Sequence, residues 1–268
     1  MNLIIGSDSQ LAQYFPDDYE RISSKNIDLD HNNLDQYKDK FYDRIFFCFG
    51  ENRTFIENNI EIFFKVNVEY TLKLLDYFKN KCNKLIVYST SELWNDCDGP
   101  IDLHTIIKYN YSPYIESKSL LTRQIETKRT FELNYDNVII LYPFNFNSIY
   151  RKGEFLFGKI FDSILNKKHI EIGDTYFYRD LIHPKYVVER SILAEKDEIV
   201  GSGRLVFVND FIRDLYKNCE LKYEDYVIEN YDCNLKLKRK IYYLNSKEMK
   251  YNTLLEDTLY DINLKLKK

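Results

Sequence analysis

The stretch Asn2-Leu3-Ile4-Ile5-Gly6-Ser7-Asp8-Ser9-Gln10-Leu11-Ala12 decides the fold class. A short apolar run stopped by a glycine is the pattern of a strand buried on both faces of a parallel sheet. A short helix is expected to open after it. Strand, glycine turn and helix in this order form a layout that receives the pyrophosphate of a dinucleotide at the helix N-terminus. Gly6, Ser9, Gln10 and Leu11 are the candidate contacts. Ser9 stands at the middle glycine position of that layout, where its Cβ crowds a phosphate and its hydroxyl can donate to one. Ala12 fits the third position. An ordinary strand-to-helix turn would use the same residues.

Further strands are expected at 19–23, 44–49, 84–88 and 138–142, with helices at 58–81 and 112–129 between the later ones. Strands alternating with helices at this spacing specify an α/β fold with a doubly wound parallel sheet. The acid that binds a ribose 2′-hydroxyl is normally found near the end of the second strand. Ser23-Ser24-Lys25 stands there, and hydroxyls beside a cation suit a 2′-phosphate, which points to NADP, with NAD as the alternative. Solvated loop residues account for the stretch equally well.

The second half reads as a helix at 153–165, a strand at 169–172, the stretch Arg179-Asp180-Leu181-Ile182-His183 before another helix, and a strand at 198–200. Gly201-Ser202-Gly203 then precedes a helix to about Cys219. The expected division is a dinucleotide-binding domain over 1–150, with 179–218 returning to it. A small α+β lobe over 151–178 and 219–268 would cover the sheet's carboxyl edge.

The 268 residues suffice for a full core, and 44% apolar with 30% charged residues is ordinary for a globular chain. A net charge of −4 with scattered Arg and Lys gives no basis for nucleic-acid binding. Five cysteines without a CxxC point to free thiols in a reducing compartment, with no metal site. No apolar run approaches membrane-spanning length and the N-terminus lacks a signal peptide, so a cytoplasmic location is expected.

Ser112-Pro113-Tyr114-Ile115-Glu116-Ser117-Lys118 is the candidate site of chemistry. Ser can cap a helix whose first residue is Pro, which puts Tyr114 and Lys118 one turn apart on one face. An ammonium near a phenol draws its pKa from about 10 towards neutrality. The spacing alone carries no weight. Among 24 tyrosines in a lysine-rich chain it also occurs at Tyr77/Lys81 and Tyr243/Lys247.

Order along the chain separates the three pairs. The Gly6 turn, Asn67-Val68, Tyr88-Ser89-Thr90-Ser91-Glu92-Leu93-Trp94, Ser112-Pro113-Tyr114 with Lys118 and Pro143-Phe144-Asn145 come first. Gly173-Asp174 with Arg179–His183, and Gly201-Ser202-Gly203, follow in turn. Together these segments resemble the extended short-chain dehydrogenase/reductase family that acts on nucleotide sugars, over nearly the whole chain. The resemblance implies a Rossmann-type sheet with a C-terminal substrate-binding lobe. It assigns Thr90 to the sugar oxygen, Tyr114 to proton transfer, and Lys118 to the nicotinamide ribose and the tyrosine pKa. Asn145 falls near the nucleotide sugar, Arg179 near its phosphates, and Arg239 at a second such contact. Glu92 matches a base in members that dehydrate or decarboxylate sugars, and also occurs where it is no base. Without the family, Thr90 would satisfy a backbone group, Arg179 would be exposed or ion-paired with Asp180 as an obvious partner, Asn145 would serve a turn, and His183 would be structural.

Ser9 and Tyr142 depart from the family's glycine and arginine. The short chain and the Gln10-Leu11 turn lean towards the 4-keto-sugar reductases. The implied activity is NADP(H)-dependent reduction of a nucleotide-activated keto-deoxysugar in surface-polysaccharide sugar biosynthesis. The alternatives are an epimerase or dehydratase with tightly bound NAD, or a silent nucleotide-binding protein. The resemblance also implies a homodimer through the 58–81 and 112–129 helices.

Overall fold

The computed structural model describes residues 1–27, 33–54, 59–107, 112–132, 134–230, 240–246 and 251–267. In chain order the strands begin β1 (Asn2–Ile5), β2 (Glu20–Ile22), β3 (Tyr42–Phe47), β4 (Cys82–Tyr88), β5 (Gly99–Ile101), β6 (Val138–Pro143) and β7 (Asn145–Phe146). They continue as β8 (Ile170–Ile172), β9 (Tyr178–Ile182), β10 (Glu198–Val200), β11 (Leu205–Phe207), β12 (Val227–Glu229) and β13 (Tyr242–Leu244). The helices are α1 (Glu61–Phe64), α2 (Thr71–Phe78), α3 (Pro113–Phe131), α4 (Leu156–Asn166), α5 (Pro184–Leu193), α6 (Val208–Asn218), α7 (Tyr223–Tyr226) and α8 (Tyr251–Leu266). No helix among the described residues is long and apolar enough to cross a membrane.

Two compact units result. One joins Met1–Asp96, Ile106–Pro143 and Val187–Val200; the other joins Cys97–Thr105, Phe144–Tyr186 and Gly201–Lys268. The expectation placed the boundary at 150 and returned 179–218 to the first unit. Here the first unit's middle stretch ends at Pro143 and Val187–Val200 returns, because among the described residues β10 is the one late strand that joins the large sheet.

The first unit is built on a six-stranded sheet of order β10-β6-β4-β3-β1-β2, parallel throughout. Leu3, Ile4, Ile5, Ile45, Phe46, Leu85 and Ile86 have no solvent exposure, as expected of strands covered on both faces. β1 lies between β2 and β3, so the chain changes direction across the sheet there. In such sheets the ligand crevice lies outside the carboxyl ends of the strands at the point of reversal.

Three local expectations are corrected. After β1 no full helix forms: a single 3₁₀ turn, Ala12–Tyr14, is all that precedes β2. Pro16 explains this, because the residue before a proline is pushed out of the helical region. Phe15 accordingly adopts φ −76°, ψ 154°. Arg21 replaces the missing helix, its guanidinium donating to the carbonyls of Ala12, Phe15 and Pro16 at 2.7, 2.8 and 3.1 Å.

The helix expected at 58–81 is interrupted, with a π-helical segment at Lys65–Tyr70 between α1 and α2; its expected first residue, 58, lies outside the described residues. At α3, Pro113 occupies the first turn as expected, but the Ser112 side chain makes no capping bond.

The second unit contains the sheets β11-β9-β7, β12-β8 and β13-β5. α4 starts at Leu156 rather than 153, and β11 intervenes between Gly203 and α6. Of the two alternatives for Arg179, exposed or paired with Asp180, the described residues show a partly exposed side chain and no such pair. Successive residues on a strand point to opposite faces. Asp180, with no exposure, instead accepts from Ser202 N and Oγ at 2.8 and 2.7 Å, and from Gly203 N and Leu244 N at 3.0 Å each. Burial still raises its pKa against those bonds. Asp180 therefore ties the Gly201-Ser202-Gly203 turn and β13 to β9. His183 is structural, as expected: buried, its Nδ1 accepts from Lys185 N, and its Nε2 lies 3.1 Å from Asp261 Oδ2.

Candidate active site

The first unit carries two groups of polar residues at the carboxyl ends of β1, β3 and β4. One is the Gly6 turn. Gly6 has φ +92°, and an added Cβ would stand 2.8 Å from both N and Cβ of Phe49, so only glycine lets the turn lie this close to the end of β3. Gly6 N and Ser7 N donate to Ile22 O at 2.8 and 3.1 Å, fastening the turn to the end of β2. Ser9 Oγ accepts from Ala12 N at 3.2 Å and closes the 3₁₀ turn. Among the described residues, the N–H groups of Asp8, Gln10 and Leu11 have no hydrogen-bond partner, and the buried Gln10 Oε1 has none either. The three orphaned N–H groups fit a dinucleotide phosphate on the turn, held by backbone donors rather than by a helix dipole; Gln10 Oε1, an acceptor, takes no part in that hold.

Ser23, Ser24 and Lys25 follow β2. The Ser23 hydroxyl donates to Asp8 Oδ2 at 2.6 Å and accepts from Lys25 N at 3.3 Å, while Ser24 O accepts from the Tyr70 hydroxyl. The Ser23 hydroxyl and the Ser23 and Ser24 carbonyls are thus engaged within the chain to a degree the sequence did not suggest.

The second group comprises Thr90, Glu92, Tyr114 and Lys118. Lys118 is buried, and its ammonium donates to Tyr88 O at 2.8 Å. Burial alone lowers its pKa to about 8. It remains a cation at neutral pH, with two N–H donors beyond the one given to Tyr88. An added Cβ on Gly50 would come within 3.4 Å of Lys118 Nζ and 3.2 Å of Asn67 Oδ1, so a bare backbone is what leaves this ammonium room.

Tyr114 is half-buried and meets Phe63 edge-on, the ring centroids 6.4 Å apart. Thr90 is buried after β4, where its Oγ1 accepts from Glu92 N at 3.2 Å and caps the Ser91–Trp94 turn. The backbone-satisfying role is therefore real, and it leaves the Thr90 O–H free to donate. Glu92 is half-exposed at that turn.

Asn67 is the residue whose part is clear only in three dimensions. Fully buried in the π-helical segment, it accepts from Glu51 N at 2.8 Å and donates to Glu51 O and Ser117 Oγ, each at 3.0 Å. Ser117 in turn donates to Tyr114 O at 2.7 Å. The loop after β3 is thereby pinned to the helix turn bearing Tyr114 and Lys118. The decoy pair Tyr77/Lys81 does something else: Tyr77 donates to Leu34 O, and Lys81 lies over the Tyr77 ring at 4.9 Å.

In the second unit, Arg179 on β9 is partly exposed, its guanidinium 5.5 Å from the Phe177 ring and 5.8 Å from that of Tyr242. Asn145 on β7 is exposed opposite Leu181. Arg239 and Lys247 of the third Tyr/Lys pair lie outside the described residues.

If Lys118 acts as a cation, its loss has a definite direction. With a pKa near 8, the ammonium is present below that pH and disappears as pH rises through it. We expect kcat/KM, which reports the free enzyme's titrations, to fall above about pH 8. A profile flat to about pH 10 would contradict this.

A parallel doubly wound sheet with a glycine turn after β1 and a Thr/Tyr/Lys set after β4 and on α3 defines a dinucleotide-fold protein of the short-chain dehydrogenase/reductase type. The NAD dependent epimerase/dehydratase family matches residues 19–203, and the chain belongs to that family. The match begins beyond the shortened Gly6 turn. No curated protein sequence matches the chain significantly.

Among solved structures, RMD from Pseudomonas aeruginosa complexed with NADPH superposes with a TM-score of 0.76 at 16% identity, covering 98% of this chain and 99% of that one. UDP-N-acetylglucosamine 4-epimerase from Methanobrevibacter ruminantium M1, in complex with UDP-N-acetylmuramic acid, gives 0.76 at 17% over 98% of each chain. The dTDP-glucose 4,6-dehydratase DesIV double mutant from Streptomyces venezuelae, with NAD and DAU bound, gives 0.70 at 16% over 98% and 97%.

Proposed function

We propose that the protein reduces the 4-keto group of a nucleotide-activated deoxysugar, using a nicotinamide dinucleotide, in the making of surface-polysaccharide sugars. The observation that carries this reading is the buried Lys118 ammonium at the end of β4, on the same helix as Tyr114. When bound, the dinucleotide supplies a hydride from its nicotinamide. Tyr114 gives a proton to the sugar oxygen, and the Thr90 O–H donates to that same oxygen. Lys118 binds the nicotinamide ribose and keeps the Tyr114 phenol near its working pKa. In the second unit, Arg179 is the proposed contact for the substrate's phosphates, by charge-assisted bonds, and Asn145 for its sugar. Copies pair through α1–α2 and α3 on the same reading. The free thiols of Cys48, Cys82 and Cys219 suit a reducing cytoplasm.

Glu92 favours a second reading. A half-exposed carboxylate beside Thr90 could remove a sugar proton, as an epimerase or dehydratase with tightly bound NAD requires. One experiment separates the two. The purified protein is given reduced dinucleotide and a panel of nucleotide-linked 4-keto-6-deoxy sugars, and nicotinamide absorbance is followed. The reductase consumes the absorbance with at least one sugar. No loss across the panel refutes it, and dinucleotide released on denaturation would then support the second reading.

A further inference from the structure

We infer that Asp8, presented from the glycine turn, reads the adenosine ribose and makes the protein prefer NAD(H) to NADP(H). This rests on the dinucleotide reading above and refines it. In dinucleotide folds the ribose 2′-hydroxyl is bound by an acid near the end of the second strand, beside the turn that holds the pyrophosphate. None of the described residues 23–27 that follow β2 is an acid. The turn, however, is fastened to the end of β2 by the two bonds to Ile22 O, and this carries Asp8 across to Ser23. Asp8 Oδ2 accepts from Ser23 Oγ at 2.6 Å, so a carboxylate stands where the family layout wants one, supplied by a different segment.

The arrangement also removes the grounds for a 2′-phosphate. Ser23 has given its hydrogen to Asp8, and its oxygen takes the Lys25 N–H at 3.3 Å. A phosphate placed against this pair meets a like charge, whereas a ribose hydroxyl can donate to the carboxylate's remaining lone pairs. Lys25 would favour a phosphate; its side chain and Asp8 are both exposed to solvent, where screening weakens each charge, but Asp8 is held in place by the Ser23 bond. Shortening of the β1–β2 connection is what permits the arrangement, since Arg21 holds the residual 3₁₀ turn close to β2.

The test is calorimetric titration of the full chain with NADH and with NADPH, independent of any sugar. NADH is expected to bind at least about ten-fold more tightly than NADPH. In Asp8→Asn the ratio is expected to shrink by about ten-fold, chiefly through tighter NADPH binding, with the melting temperature unchanged. Lys25→Ala should weaken NADPH and leave NADH within about two-fold. A native preference for NADPH, or an Asp8→Asn ratio equal to the native one, overturns the inference and leaves the cofactor reading intact. Failure of both dinucleotides to bind overturns the cofactor reading itself.

Discussion

Tyr114→Phe is expected to lower turnover by about 10²–10⁴-fold while leaving stability nearly unchanged. Both halves of that expectation come from position. Tyr114 sits in the first turn of α3, half-buried, with its ring edge against Phe63. Phe keeps the ring and that contact, so packing is preserved. What disappears is the proton that the phenol passes to the sugar oxygen. On the proposed reading Lys118 does not replace it, because its ammonium gives one N–H to Tyr88 O and the others to the nicotinamide ribose. The checks are steady-state kinetics with the keto-sugar that the native protein reduces, and thermal unfolding of both proteins. Near-native turnover would refute the role of Tyr114; a large fall in melting temperature would mean that the hydroxyl serves the fold.

Asp180→Ala is expected to be the most damaging substitution for stability. Its carboxylate accepts four hydrogen bonds from three residues on two segments, and alanine would leave the buried N–H groups of Ser202 and Gly203 and the part-buried one of Leu244 without this acceptor. Breaking a buried charged hydrogen-bond set costs about 3–5 kcal/mol. In a chain of this length that corresponds to a fall in melting temperature on the order of 10 °C. Asp180→Asn is not a safe replacement. One oxygen serves Ser202 and the other serves Gly203 and Leu244, so an amide NH₂ in either place would face donors. Thermal unfolding of the three proteins should rank native above Asn and Asn at or above Ala. An Ala variant melting within about 2 °C of native would show that the turn is held by something else.

The sheet was legible in the sequence because strands buried on both faces are continuous apolar runs. Asn2–Ile5 and Glu198–Val200 come out with their expected limits, and β4 and β6 within two residues. α3 was legible through Pro113 and its length. The collapsed helix after Gly6 had a signal that the glycine pattern overshadowed: Pro16 fixes Phe15 in an extended conformation and allows no more than one turn. The π-helical segment had none, because an extra residue in one turn scarcely disturbs the apolar period carried by Ile60, Phe63, Phe64, Val68, Leu72, Leu75 and Phe78. Asp8 and Ser23 could not be paired from sequence, since their contact depends on two loops fastened by backbone bonds. Of the alternatives for Arg179, pairing with Asp180 is disfavoured by strand geometry, since adjacent residues on β9 face opposite ways. The Thr90, Tyr114 and Lys118 positions were legible only through their order along the chain. The structure adds the Asn67–Glu51–Ser117 bonds that hold the helix turn carrying two of them.

The central claim is net hydride transfer to a sugar carbon. It is tested most directly with a reduced dinucleotide carrying deuterium at the transferable nicotinamide position and a nucleotide-linked 4-keto-6-deoxy sugar. The product sugar is then weighed by mass spectrometry. A product heavier by one deuterium, formed with one oxidised dinucleotide for each sugar, is the predicted result. A sugar transformed without deuterium, with the added dinucleotide unconsumed, would contradict it.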